Sequence, residues 1–397
     1  MNDTNKITEN APIRILHFSS RYEECGVAKY LDHYINGMVD APHIKNDYFD
    51  VSPYETPHMS PADLEKMAQQ LQSTMKDYDI LHVQHEFAMY AHDSFRRIVQ
   101  AGKNSGKKVV ITIHTSPSLH GGSKPVKLHG LGPRSLVSYL REKRNQQNFF
   151  YTNIDPYRMA DLLLVHNDNT IDGLKALGVN GDHIKKIIHP VQTVKTPPNS
   201  TLIATKLNRQ DGDIIYCTIG FLHRYKGLFE AVKALKFLPD NYKLAILGGM
   251  KEDSDDVAMY DKLCDVIQAW GLRDRVFITG YIKSDDKLNA LIRECDVCVY
   301  PYDRVYYAGA SSGSFNLAFA NGQPVIAFPT ATFKEVAEIS EGATITTQTF
   351  AYYELARELS RIDLAKQREL SKKYAQKAAW PNISKELVKV YEEVAAS

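Results

Sequence analysis

The sequence predicts an α/β protein of two doubly wound, parallel-sheet (Rossmann-like) domains. Three observations predict it. Short apolar runs alternate with helical patterns through the first half of the chain, the alternation lapses in a Pro/Thr/Asn-rich stretch over 191–212, and it then restarts. Near-continuous apolar strands separated by helices indicate parallel sheets covered on both faces. A length of 397 residues suits about two domains with ample core in each.

The first strand is Ile13-Arg-Ile-Leu-His-Phe18, followed by a loop with Gly26 and a helical pattern from Val27 to Met38. Ile80-Leu-His-Val83 forms the next strand and runs into Gln84-His85-Glu86. A helix near Asp93–Ala101 leads to the strand Lys108–Ile113, closed by His114-Thr115, and the strands Leu162–Val165 and Lys186–Ile188 continue the series. The first domain therefore spans 1–195, and 196–212 reads as a linker. The second domain, 213–379, runs strand Ile214–Ile219, helix Leu228–Lys236, strand Lys243–Leu247, helix Ala258–Trp270, strand Arg275–Ile278, helix Lys287–Arg293 and strand Val297–Tyr300. In open parallel sheets ligands bind beyond the carboxyl ends of strands. Two such domains facing each other across a cleft make the segments after the strands the candidate site.

Composition narrows the function class. The chain is 44% hydrophobic and 24% charged with a formal net charge of +1, which argues against a nucleic-acid binder. Cys25, Cys217, Cys264, Cys295 and Cys298 show no disulfide framework, and Cys295-Asp-Val-Cys298 runs into an apolar strand, so buried free thiols are expected. No apolar run approaches the roughly 18 residues of a membrane span. Residues 1–11 are polar and lack the order of a signal peptide, so a reducing, cytoplasmic compartment is expected.

The most informative segment is Val299–Ala327. It reads as a strand, a polar loop ending Ser311-Ser312-Gly313-Ser314, a short helix closed by Gly322, and another strand. The first N–H groups of a helix lack partners and carry partial positive charge, so the serines either cap a core helix or help to hold an anion. The loop Gly220-Phe-Leu-His-Arg-Tyr-Lys-Gly227, at another strand-to-helix turn, suits a polyphosphate, with close backbone approach at the glycines and compact charge on Lys226. It is neither a Walker A loop nor GxGxxG, which disfavours triphosphate hydrolysis and dinucleotide redox chemistry. Gly248-Gly249 hints at a further close approach.

Taken in order, Gly220…Lys226-Gly227, Thr279-Gly280-Tyr281 and Ala308-Gly-Ala-Ser-Ser-Gly-Ser…Ala320-Asn-Gly-Gln-Pro-Val325 resemble retaining glycosyltransferases of the GT-B fold, family 4. Gly26-Val27-Ala28 is similar to that family's N-terminal glycine loop. Val83-Gln-His-Glu-Phe87 and Thr112-Ile-His-Thr115 resemble a bacterial, mannosyltransferase-like branch. Trp380-Pro…Val390-Tyr391 resembles the C-terminal helix that crosses back onto the first, acceptor-side domain.

The resemblance implies a donor diphosphate gripped by Lys226 and by the amides of Ser311, Ser312, Gly313 and Ser314. It further implies donor contacts at Gly26, Gly220, Tyr281 and Ile282, and a histidine, His114, meeting the donor sugar and phosphate. Two departures stand out. The family's arginine after the first glycine is Phe221 here, leaving Arg224 as its substitute. The family's pair of glutamates, counted back from Gly322-Gln-Pro-Val, would fall at Gly309 and Leu317 and is absent. Asn316 and the Tyr302-Asp303-Arg304 loop are then the candidates for sugar and ribose contacts. Glu86 and His85, at a strand end, are candidates for acceptor or sugar contacts, each with a structural alternative. His17 is a plain strand residue. Asp253-Ser-Asp255 mimics a metal-binding pair but lies in a charge-rich loop, so no metal and no cofactor are expected.

The implied reaction is transfer of a hexose, with retention, from a GDP- or UDP-linked donor to a glycan, lipid-linked or other hydroxyl acceptor. A sugar-nucleotide epimerase or glycan phosphorylase on the same scaffold, and a non-catalytic donor-binding protein, remain open alternatives. Residues 117–150 carry Lys124, Lys127, Arg134, Arg141, Lys143 and Arg144 against the single acid Glu142, with Leu131, Leu136, Val137, Leu140, Phe149 and Phe150 interleaved. The segment reads either as a cover for the acceptor site, as a contact to an anionic membrane at the inner face, or as a solvated helical hairpin.

Overall fold

A computed structural model describes residues 11–21, 25–119, 121–128, 130, 132–194, 199–250, 254–304 and 312–397. The chain divides into two compact units, Met1–Ile188 with Trp380–Ser397, and His189–Ala379.

The first unit runs β1 (Ile13–Phe18), α1 (Gly26–Asn36), β2 (Ile44–Tyr48), α2 (Pro61–Thr74), β3 (Ile80–His85), α3 (Ser94–Asn104), β4 (Lys108–Ile113), α4 (Pro133–Phe149), α5 (Asp155–Met159), β5 (Leu162–Val165), α6 (Asp168–Ala176) and β6 (Ile184–Lys186). The second runs α7 (Leu202–Lys206), β7 (Ile214–Ile219), α8 (Leu228–Ala234), β8 (Tyr242–Leu247), α9 (Ser254–Ala269), β9 (Val276–Ile278), α10 (Asp285–Glu294), β10 (Val297–Tyr300), α11 (Gly313–Ala320), β11 (Val325–Ala327), α12 (Ala331–Ile339), β12 (Thr344–Thr346), α13 (Tyr352–Arg361) and α14 (Leu364–Lys377). The last helix, α15 (Trp380–Ala396), belongs to the first unit.

Each unit holds a six-stranded parallel sheet, ordered β2-β1-β3-β4-β5-β6 in the first and β12-β11-β10-β7-β8-β9 in the second. Both are doubly wound, as the apolar strands predict. In the first sheet the chain reverses direction between β1 and β3, in the second between β7 and β10. Such switch points open a crevice at the carboxyl ends of the two strands. The strand and helix expectations hold with shifts of a few residues; the largest is at the start of α9, which begins at Ser254 rather than Ala258, and the last strand of the first sheet is Ile184–Lys186 rather than Lys186–Ile188.

Two expectations change. The stretch 196–212 is not a free linker over its described part. Residues 199–212 belong to the second unit and carry α7, whose Ile203 and Ala204 amides donate to the Glu294 carboxylate at 2.9 and 3.1 Å, while Arg209 pairs with Asp296 at 2.9 Å. A carboxylate from a distant helix satisfies the first turn of a segment whose own composition looks irregular. Nor is 117–150 a hairpin. Over its described part it holds two short 3-10 turns, Pro117–Leu119 and Gly121–Ser123, an irregular stretch, and one long helix, α4, which widens through a π turn over Phe150–Ile154 into α5. Among the described residues no helix is long and apolar enough to cross a membrane.

The core of the first unit has two layers. Leu16, Phe18, Leu81, Val83, Val109 and Ile111 pack with α2, α3 and α5 on one side of the sheet. Ile15, Ile80, Val110 and Leu164 pack with α1 and α15 on the other. All five cysteines are free thiols, with Cys217, Cys295 and Cys298 buried.

Candidate active site

The loops after β7 and β10, the pair at the second unit's switch point, converge on one side chain. After β7 the chain makes its turn with Gly220 and Gly227 in the left-handed region, at φ 114° and 65°. Gly227 has no alternative, because a Cβ there would sit 1.8 Å from the Pro301 carbonyl oxygen. The turn folds Lys226 inward, leaving it 8% exposed. Its Nζ donates to the Ser314 hydroxyl at 3.2 Å and to the hydroxyl of Tyr302, whose ring it also covers at 4.5 Å from the centroid.

Ser312 is the N-cap of α11, accepting from the Phe315 amide at 3.3 Å. Its hydroxyl lies 3.0 Å from that of Ser314, which lies 3.1 Å from Tyr302 OH. Tyr300 OH donates to the Ser314 carbonyl at 2.7 Å and holds the turn to β10. Burial pushes the Lys226 ammonium below its ordinary range, opposed by Tyr225. Among the described residues its ammonium meets hydroxyls and aromatic rings and no carboxylate. A buried positive charge beside the positive end of a helix is chemically unfinished, and an anion completes it.

Gly313 sharpens this reading. It is the first residue of α11, is exposed, and a Cβ built on it meets nothing within 4 Å. Gly26, first in α1, is the same. Among the described residues packing requires glycine at neither position. Gly248 and Gly249 differ: a Cβ there would lie 1.9 Å from the Gly220 carbonyl oxygen and 2.3 Å from the Tyr281 amide nitrogen, so the close approach expected at them is by the fold's own backbone.

The other expected residues divide. Ser311 and Gly309 lie outside the described residues, as does Asp253. Arg224 is exposed and stands outside the Lys226–serine cluster. Together with Asp303, Arg304, Lys262 and Phe328 it lines a separate cavity of about 790 Å³ beside the cradle. Tyr302, expected as a sugar contact, points its hydroxyl at Lys226 instead. Asn316 is buried and donates to His189 Nδ1 at 2.5 Å, so its amide serves the fold of its own unit rather than a sugar. Phe221, in place of an arginine, stacks on Tyr281 with centroids 5.5 Å apart and planes 11° apart. Tyr281 is 47% exposed, and Ile282 is half-buried beside it.

In the first unit, His114 follows β4 and its Nε2–H donates to Gln84 Oε1 at 2.9 Å, with Tyr30 packed edge-on at 5.0 Å. Glu86 Oε2 accepts from the Thr115 hydroxyl at 2.6 Å. Burial raises the Glu86 carboxyl, opposed by the hydrogen bonds from Thr115 and from the Phe87 and Ala88 amides. His85 is not at a binding surface. It is fully buried among Phe87, Tyr90, Phe95 and Tyr157, its Nδ1 lies 2.8 Å from Tyr157 OH, and burial drives its pKa down to about 3. Strand alternation sets its partners: His85 shares the face of Leu81 and Val83, covered by α2, α3 and α5, whereas Gln84 shares the opposite, equally buried face with His82.

What sequence reading missed is a buried polar chain behind His114. Tyr34 OH donates to Tyr391 OH at 2.5 Å, Tyr391 OH lies 2.6 Å from His82 Nδ1, and His82 Nε2 lies 2.8 Å from Thr112 Oγ1 and 3.3 Å from Gln84 Nε2. Burial lowers the His82 pKa well below the usual value, so it is neutral, and the chain links α15 to the strand end that carries His114.

Comparison with known proteins agrees with this geometry. Residues 199–379, which lie within the second unit, match the family of Glycosyl transferases group 1. No curated protein matches the chain in sequence. HepE of Anabaena, solved with UDP, superposes with a TM-score of 0.68 at 14% identity, covering 96% of this chain and 100% of that one. Sucrose-phosphate synthase from Thermosynechococcus elongatus gives 0.67 at 18%, covering 98% and 100%. A glycosyltransferase from Rickettsia africae gives 0.68 at 14%, covering 96% and 98%. HepE has also been solved with UDP-glucose. The fold is the GT-B fold of these glycosyltransferases.

Proposed function

We propose that the protein is a retaining, metal-independent hexosyltransferase of family 4 that moves a sugar from a nucleotide-diphosphate donor to a hydroxyl of a glycan or lipid-linked acceptor. The observation that carries this reading is the buried Lys226 ammonium, uncompensated by any described carboxylate, set against the N-terminus of α11 at the sheet's switch point. The reaction breaks the bond between the anomeric carbon and the phosphate oxygen and forms one to the acceptor oxygen. Negative charge grows on the departing diphosphate, and preorganised donors of this kind stabilise such charge without reorganising. The acceptor's proton passes to the departing phosphate oxygen on the same face, which requires no protein base and accords with retention.

Phe221 and Tyr281 offer a flat aromatic surface for the nucleotide base, and His114 and Glu86 offer hydrogen bonds to hydroxyls. The UDP and UDP-glucose bound by HepE make uridine-linked hexoses the first donors to try. GDP- and dTDP-sugars complete the panel, read by thermal stabilisation, since a ligand that binds only the native state raises its melting temperature. Lys226→Ala lowers turnover of the best donor by about tenfold or more; unchanged turnover overturns the assignment. A second reading, donor binding without transfer, draws on Leu317 standing where the resemblance expects a glutamate. It predicts stabilisation by donor with neither transfer nor hydrolysis.

A further inference from the structure

Helix α4 is built inside out. A surface helix normally turns its apolar stripe to the core and its polar face to water. In α4 the residues turned to the body of the unit are Ser135, Ser138, Tyr139 and Gln146, half-buried, and Phe149, buried. Gln146 is tied there by a hydrogen bond from its Nε2 to the Lys124 carbonyl at 2.6 Å. The apolar residues face out: Leu136 is 50% exposed, Val137 66% and Leu140 55%.

At 100° per residue Leu136, Leu140 and Val137 form one outward stripe, bordered by Lys143 and Arg141 and continued one turn beyond Leu140 by Arg144. All three cations are exposed, as are Arg134, Lys124 and Lys127, and the sole acid in the segment is Glu142. Leu128 and Tyr151, 46% and 50% exposed, lie just before and just after the helix. Scattered single apolar residues on a surface are ordinary; a contiguous stripe framed by one sign of charge is not.

We infer that α4 is an interfacial helix that docks this protein on an anionic lipid bilayer. The stripe lies at the boundary of the acyl region while Arg141, Lys143 and Arg144 reach the phosphate headgroups with their apolar stems lying along the surface. The charge pattern selects this occupant. A second copy of the chain would bring six like cations together, and an uncharged apolar partner would leave them unused.

The inference stands apart from the reaction proposed above, because docking is measured without donor or acceptor. The full-length protein is sedimented with vesicles of phosphatidylcholine alone and of phosphatidylcholine mixed with phosphatidylglycerol. It is expected to pellet with the mixed vesicles only, and to be released as salt rises. The combined variant Leu136→Ser, Val137→Ser and Leu140→Ser, and separately Arg141→Gln, Lys143→Gln and Arg144→Gln, are each expected to keep the wild-type melting temperature, since these side chains are exposed. The charge variant is expected to weaken partitioning on the order of 100-fold. Absence of binding to mixed vesicles, or equal binding by the variants, overturns the inference. So does a wild-type dimer that the serine variant converts to monomer without any vesicle binding.

Discussion

At the scale of the residue, Lys226 is the side chain with the least reason to be where it is on grounds of stability alone. Burying an ammonium without a carboxylate is costly, and hydroxyls and rings offset only part of that cost. Lys226→Met is therefore expected to leave stability unchanged or raise it, by about 1–4 kcal/mol, while abolishing the rise in melting temperature produced by a nucleotide diphosphate. Loss of stability with retained ligand response would mean that Lys226 is a structural residue. Gly313→Ala tests the same cradle from the other side. Its Cβ enters open space in the free protein, so stability should change by less than about 0.5 kcal/mol, while nucleotide-diphosphate affinity falls; calorimetric titration decides. Lys226 and the serines were legible in the sequence because a strand-to-helix turn with paired glycines has few other uses. His85 was misleading because ending a strand says nothing of which face a side chain takes. Period-two alternation through Leu81 and Val83 does.

At the scale of the element, α15 shows how a chain end becomes part of a distant layer. Trp380, Ile383, Leu387, Val390, Tyr391 and Val394 repeat at helical spacing and are buried against β1, β3, β4 and β5. The helix also inserts the hydroxyl of Tyr391 between Tyr34 and His82. Tyr391→Phe removes that hydroxyl and leaves buried polar partners unsatisfied, which is expected to cost about 1–3 kcal/mol, measured by urea denaturation. A cost near zero would show that the chain behind His114 contributes nothing net. Other elements were not legible. β2 reads Ile-Lys-Asn-Asp-Tyr and is an edge strand recognisable only by its pairing to β1. The helix α7 is hidden because the carboxylate that caps it, Glu294, lies far along the chain.

At the scale of the whole molecule, the first unit carries a layer of neutral histidines. Burial lowers His17 and His166 from 6.5 to about 4 and His85 to about 3, and burial together with the neighbouring His17 and His114 holds His82 well below its usual value. The unfolded chain takes up protons near pH 6.5 and the folded one does not. The stability these groups permit is therefore present in full above that pH and is lost as pH falls from 6.5 toward 4. Each contributes a slope of about 1.4 kcal/mol per pH unit within that window. Denaturation across the window should show this decline, and His85→Phe should flatten it by one proton. An unaltered slope would mean that His85 is protonated in the folded state.

The two doubly wound sheets are written in local patterns, because parallel strands buried on both faces must be apolar and the helices between them must alternate. The sequence also singled out the turns at Gly220–Gly227 and Ser312–Ser314, since glycine, lysine and hydroxyl residues at helix starts have local physical causes. That these two turns meet follows from the three-dimensional arrangement alone. Lys226 and Ser314 are 88 residues apart in sequence and are brought together because β7 and β10 are neighbours at the point where the sheet reverses. That arrangement alone decided that Asn316 faces inward, that Tyr302 holds Lys226, and that α4 turns its apolar stripe outward. Each of these depends on which long-range partner occupies a face, and no local pattern contains that information.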